Sequence, residues 1–113
     1  KPDGRAVPIG TAEWRIDRIP AGEHRISILY SCAGKPAGSV ITARLGQASA
    51  QQDLDDSNAT GGVNEFRITR LGVLRLDTDS VGEALVLRNS DPDRAAIWVR
   101  QVIIAKVTEN EKN

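Results

Sequence analysis

The chain has 113 residues, with 15 basic and 15 acidic side chains and no formal net charge. That length is one domain's worth and can bury roughly two thirds of its unfolded surface, so no metal or disulfide staple is required. Balanced, interleaved charge excludes the basic face that nucleic acid needs and suits an anionic membrane surface no better. The longest apolar runs, such as residues 102–105, fall far short of the ~20 residues of a membrane span.

The first eleven residues, KPDGRAVPIGT, are rich in Pro and Gly and read as a lead-in; residues 108–113, TENEKN, read as a polar tail. Between them, over residues 12–107, the apolar pattern has period 2 rather than 3.6. Residues 12–19 are expected as a first strand, with Trp14 and Ile16 inward. Pro20-Ala21-Gly22 marks a turn. Residues 23–33 form the second strand. His24, Ile26, Ile28, Tyr30 and Cys32 share one face; Arg25, Ser27 and Ser31 share the other, with Leu29 as the exception. His24, at the strand's start, is expected to be solvated.

Residues 34–38 turn the chain, residues 39–47 form a third strand, and residues 51–56 a short fourth paired with it. Residues 55–62, DDSNATGG, are dense in turn formers. Residues 64–71 are expected as a strand with Phe66 and Ile68 inward, Gly72 as a bulge or bend, and residues 73–77 as its continuation. After a turn at 79–82, residues 83–89 point Leu85 and Leu87 inward. A turn at 90–93 leads to the last strand, residues 95–107. Its phase shifts from Ile97 and Val99 to Val102 and Ile104, which predicts a bulge near Arg100-Gln101. About eight short strands with turn signals every 8–12 residues, and no helix, predict an all-β, two-sheet antiparallel sandwich.

The residues offer little chemistry. His24 and Cys32 lie eight positions apart on one strand face, which is ~26 Å at ~3.3 Å per residue and too far for a dyad. No nucleophile elbow, phosphate loop or dinucleotide fingerprint occurs. Asp53, Asp55, Asp56 and Asn58 come nearest to a calcium loop, but Asn58 stands where Gly is needed and Asn64 where the bidentate Glu belongs. Turn formation accounts for them, and for Asp91-Pro92-Asp93, so no metal or cofactor is expected. Asn58-Ala59-Thr60 matches a glycosylation sequon. The single cysteine excludes an internal disulfide. With no methionine, the chain reads as a processed product or as a domain of something longer. Trp14, Tyr30 and Phe66 read as core. Trp98 is different: Ile97 and Val99 take the inward positions, so it faces outward. There it can stack on a sugar ring, cover a partner surface or pack against a neighbouring loop.

The order of fragments is informative. AEW-x-I (residues 12–16), AGEHRISILYSCA and AGS precede TGG (60–62); FR-x-x-x-LG-x-L, LVLR and IWVRQVII follow. Across residues 12–107 this resembles the galactose-binding-like, carbohydrate-binding-module-like β-sandwiches appended to bacterial secreted α-L-fucosidases and sulfatases. Two departures stand out. Val63 follows TGG where an aromatic is common, and only a Pro/Gly-rich stretch precedes Glu13-Trp14 where further strand sequence is usual. A sheet edge without that strand would be left to pair with something. The resemblance implies a jelly-roll fold and a secreted or periplasmic accessory module without catalysis of its own. It would lie beside a catalytic neighbour in the parent chain. A glycan partner would engage Trp98 by stacking and Arg88, Asn89 and Asn64 by hydrogen bonds. The alternative is a structural domain that packs on that neighbour and binds no sugar, which an aromatic content of 4% favours. An enzyme in its own right is the third reading, disfavoured by the poverty of His, Cys and organised carboxylates.

Overall fold

A computed structural model describes residues 7–93 and 95–108; residues 1–6 of the expected lead-in and 109–113 of the expected tail lie outside the described residues. The described chain is all β. Its strands are β1 (Val7–Pro8), β2 (Thr11–Arg15), β3 (Arg18–Ile19), β4 (Gly22–Gly34) and β5 (Val40–Leu45), followed by β6 (Ala48–Asp53), β7 (Arg67–Leu76), β8 (Ser80–Val81), β9 (Ala84–Asn89) and β10 (Ala95–Lys106). One sheet has the order β1-β10-β4-β7, a second β2-β9-β5-β6, and β3 and β8 form a small third. Every described pairing is antiparallel.

The two large sheets share one core. Ile26, Ile28, Tyr30 and Cys32 of β4, Leu71 and Leu74 of β7, and Ile97 and Val99 of β10 come from the first sheet. Ile41, Ala43 and Leu45 of β5 and Leu85 and Leu87 of β9 come from the second. Alternation writes this directly, because successive side chains point to opposite faces of a strand and only one face of each sheet is dry. The bulge expected near Arg100 is present: the β4–β10 register skips between Val99 and Gln101, which restores Val102 and Ile104 to the inner side.

Several expectations are corrected. Residues 7–11 are part of the sandwich rather than lead-in: β1 pairs with β10, Ile9 is buried, and its N–H donates to Ile97 O at 2.9 Å. The expected first strand divides. β2 pairs with β9, whereas β3 turns to β8, with Ile16 N–H donating to Glu83 O (3.0 Å) and Gly82 N–H to Asp17 O (2.9 Å) at the bend. β6 begins at Ala48 rather than residue 51, because Gly46-Gln47 closes a two-residue hairpin and Gly46 takes the left-handed φ of +59° such a turn favours. His24 is buried rather than solvated: β4 starts two residues upstream of it, Lys106 lies opposite, and Nε2–H donates to Pro20 O at 2.7 Å.

β7 departs most. Ile68, expected inward, is 63% exposed, and Phe66 precedes the strand. The register steps from Ser27↔Arg70 to Ile26↔Gly72, so Leu71 is the extra residue of a bulge and the inward set is Leu71 and Leu74. Gly72 permits this with φ +143°, and a Cβ there would stand 3.0 Å from Ala50 Cβ on the facing sheet. Gly72→Val is therefore expected to destabilise the domain by about 2 kcal/mol, from backbone strain plus the clash. A shift in the urea midpoint at unchanged slope checks it.

Candidate functional site

The segment between β6 and β7 builds the most distinctive surface. Asp55 caps a 3-10 turn at Asp56–Asn58: its Oδ1 accepts from Ser57 N–H (2.8 Å) and from the Ser57 hydroxyl, and its own N–H donates to Asn58 Oδ1 (2.9 Å). The Tyr30 hydroxyl donates to Asn58 O (2.9 Å), and Cys32 N–H donates to Thr60 Oγ1 (2.9 Å). The sequon residues Asn58 and Thr60 are thus the pins that fasten this loop to β4. The loop then folds over the outer side of the first sheet, where the Ser31 hydroxyl donates to Val63 O at 2.8 Å and Ser31 is fully buried beneath it.

This places Asn64 and Phe66 beside Trp98, which lies opposite Ser31 in register. Val63, Asn64, Phe66, Trp98 and Arg100 line an open depression of ≈ 290 Å³. Trp98 is half-buried and outward, as its flanking Ile97 and Val99 predict. The bulge turns Arg100 onto Phe66, with Cζ 4.2 Å from the ring centroid, a cation–π contact that holds both side chains in place. Two aromatic rings beside an amide and a guanidinium can stack on the apolar face of a ring and hydrogen-bond to its hydroxyls.

Of the four sequence-predicted residues, Trp98 and Asn64 come together here. Arg88 is exposed on β9 of the second sheet, between Thr11 and Thr42 in register, and so belongs to the opposite outer face. Asn89 shares the inward parity of Leu85 and Leu87 and is 3% exposed. Its Nδ2 donates to Ala95 O (2.9 Å) and its Oδ1 accepts from Asp91 N–H (3.2 Å), which ties the β9–β10 turn together and corrects its reading as a ligand contact. Asn89→Ala is expected to cost about 1–3 kcal/mol of stability, because Ala95 O is left buried without its donor. Ligand binding by the remaining folded protein should be unchanged, as a calorimetric titration below the melting temperature would read.

Phe66 and Arg100 are the site residues that sequence reasoning missed. Alternation alone points Phe66 inward, and the bulge in β7 reverses that phase. Arg100 had a signal, since the bulge was expected at that position.

The remaining candidates carry structure rather than chemistry. Cys32 is fully buried, and burial pushes its thiol pKa up, which disfavours the reactive thiolate. Among the described residues no three His, Cys, Asp or Glu side chains converge to hold a metal ion. Asp79 ties the β3 and β8 ends. It accepts from Ala21 N–H (2.8 Å) and from Arg18 (2.7 Å), and these contacts, the backbone one foremost, hold its pKa below the usual carboxylate value. A depressed folded-state pKa gives stability that is present above the unfolded value of ~3.9 and is lost as pH falls through the folded value. Asp79→Asn should therefore flatten the acid limb of the stability–pH curve below about pH 4 and leave its shape above about pH 5 unchanged. Thermal melts across that range test this.

In comparisons with known proteins, no family model matches this chain and no curated protein sequence matches it.

Proposed function

We propose that this chain is a non-catalytic accessory module of a secreted bacterial carbohydrate-active enzyme, of sulfatase or α-L-fucosidase type, and that it binds glycan on the outer face of the first sheet. The observation that carries the reading is the depression where Trp98, Phe66, Asn64 and Arg100 converge. Trp98 supplies the stacking surface, Phe66 its neighbour, and Asn64 and Arg100 the donors and acceptors. The order of sequence fragments supports the parent class. Fluorescence titration of the 113-residue chain with neutral, fucosylated and sulfated glycans is the test. Saturable quenching by at least one member supports the reading, and a flat response from folded protein overturns it.

One observation favours a second reading, in which the same face docks on a catalytic neighbour and takes no sugar. Val63, Ile68 and Val73 are 46%, 63% and 37% exposed. Ile68 and Val73 lie opposite Leu29 and Arg25 on the outward parity of the first sheet. Apolar residues left exposed on one sheet face fit a surface that a partner covers. A flat glycan response, together with burial of Trp98 when the neighbouring domain is present, would select that reading.

A further inference from the structure

Arg100 owes its position to the bulge in β10. It is the residue that the β4–β10 register skips between Val99 and Gln101, and a bulge re-aims the side chain of its extra residue. Here the guanidinium is aimed at the loop after β6: its Cζ stands over the Phe66 ring, 4.2 Å from the centroid. The ring takes one face of the planar group and leaves the N–H donors around its edge. Among the described residues none of those donors has an acceptor, and no carboxylate pairs with the group. A guanidinium held on a ring has little freedom left, so its fork is set before a ligand arrives. That fork matches the two oxygens of a carboxylate or a sulfate. A neutral hydroxyl engages one donor of it and adds no charge.

The other walls suit the rest of a sugar. Trp98 gives a stacking surface, Val63 an apolar rim and Asn64 an amide, and the described lining residues include no acid to repel an anion. Glu65 is exposed and outside the lining. The loop carrying Val63, Asn64 and Phe66 is pinned to β4 by the Ser31 hydroxyl on Val63 O at 2.8 Å, so the walls keep their spacing. The depression, ≈ 290 Å³, is at the small end of ligand sites, which run upward from about 300 Å³. It suits one ring with its substituent rather than a strand of nucleotides tracked by a row of cations.

We propose that the ring bound here belongs to an acidic sugar. Its apolar face stacks on Trp98, and its anionic substituent, a carboxylate or a sulfate ester, lies on the N–H edge of Arg100. This rests on the glycan reading above and narrows it to a ligand class. Asn64 takes a neighbouring hydroxyl, and Phe66 acts by positioning Arg100.

The test is NMR titration of the isotope-labelled chain with methyl glycosides that differ only at carbon 6. They are the neutral alcohol, the uronate and the 6-sulfate, each in the gluco and the galacto series. The expected result is a saturable shift of the Trp98 indole N–H, with an anionic member binding at least about tenfold more tightly than its neutral parent at low salt. The tighter of uronate and sulfate identifies the source of the charge. Arg100→Gln should bring the anionic members down to the neutral level, and Arg100→Lys, which keeps the charge without the fork, should restore only part of the preference. Arg70→Gln is the control for a diffuse field. Arg70 is exposed opposite Ser27 on the same outer parity, about 13 Å along the sheet from the Ser31–Trp98 row, and its loss should leave the preference intact. Equal binding of neutral and anionic members overturns the proposal and leaves the glycan reading standing. Silence of all the probes also overturns it, and the glycan panel then decides the wider reading by itself. An equal loss in Arg70→Gln, or inorganic sulfate binding as tightly as the sugar sulfate, overturns it in favour of general ion pairing. Tighter binding of a thymidine oligonucleotide overturns it in favour of nucleic acid.

Discussion

Leu87→Ala is expected to lower the unfolding free energy by about 3 kcal/mol. Leu87 is fully buried at the middle of β9, and β9 lies between β2 and β5 in the second sheet. Its lateral neighbours in register are Ala12 and Ala43. Alanine side chains cannot lean into the vacated space, so the cavity persists and its cost adds to the lost transfer energy. For a domain of this size the melting temperature should fall by about 10 °C or more. Val86→Ala, one residue away on the outward parity and half-buried, should cost less than about 1 kcal/mol. A loss at Leu87 as small as that at Val86 would contradict a shared core between the two large sheets.

Trp98→Ala is expected to weaken glycan binding by about 2 kcal/mol, roughly thirtyfold, as loss of an aromatic anchor does at a recognition site. The fold should survive, because Trp98 faces outward and its inward neighbours Ile97 and Val99 carry the packing of β10. Phe66→Ala should reduce affinity too, and through a second route: it frees Arg100 from the cation–π contact that positions it. Arg88→Ala, on the opposite outer face, should leave binding unchanged. Isothermal titration of the four proteins against one glycan separates these outcomes. Equal losses at Trp98 and Arg88 would mean that neither residue is read through its own surface.

Much of this architecture is written in local alternation. β4, β5 and β9 each bury one parity without interruption over their inward residues, and both bulges were marked, one by Gly72 and one by the phase change around Arg100. The phase of β7 was not legible. Phe66, Ile68 and Leu74 fall on one parity and Leu71 on the other, and only pairing with β4 decides where the extra residue goes. The burial of His24 depends on Lys106 of β10 lying opposite, a contact between chain ends that no local window contains. Asn89, which the resemblance offers as a ligand contact, shares the parity of Leu85 and Leu87, and that parity alone puts it inside.

The candidate site divides the same way. Trp98 could be read as outward from its two neighbours alone. Its companions could not, because Asn64 and Phe66 arrive only when the loop after β6 folds back over β4. The bonds that fold it back, Ser31 to Val63 and Cys32 to Thr60, span about thirty residues of chain and leave no periodic trace.

The most direct measurement is chemical-shift mapping of the labelled chain with the glycan that quenches its fluorescence most strongly. The largest perturbations are predicted at Asn64, Phe66, Trp98 and Arg100, with Arg88 and Asn89 silent. Perturbations centred on Arg88, or none on the outer face of the first sheet, would contradict the account.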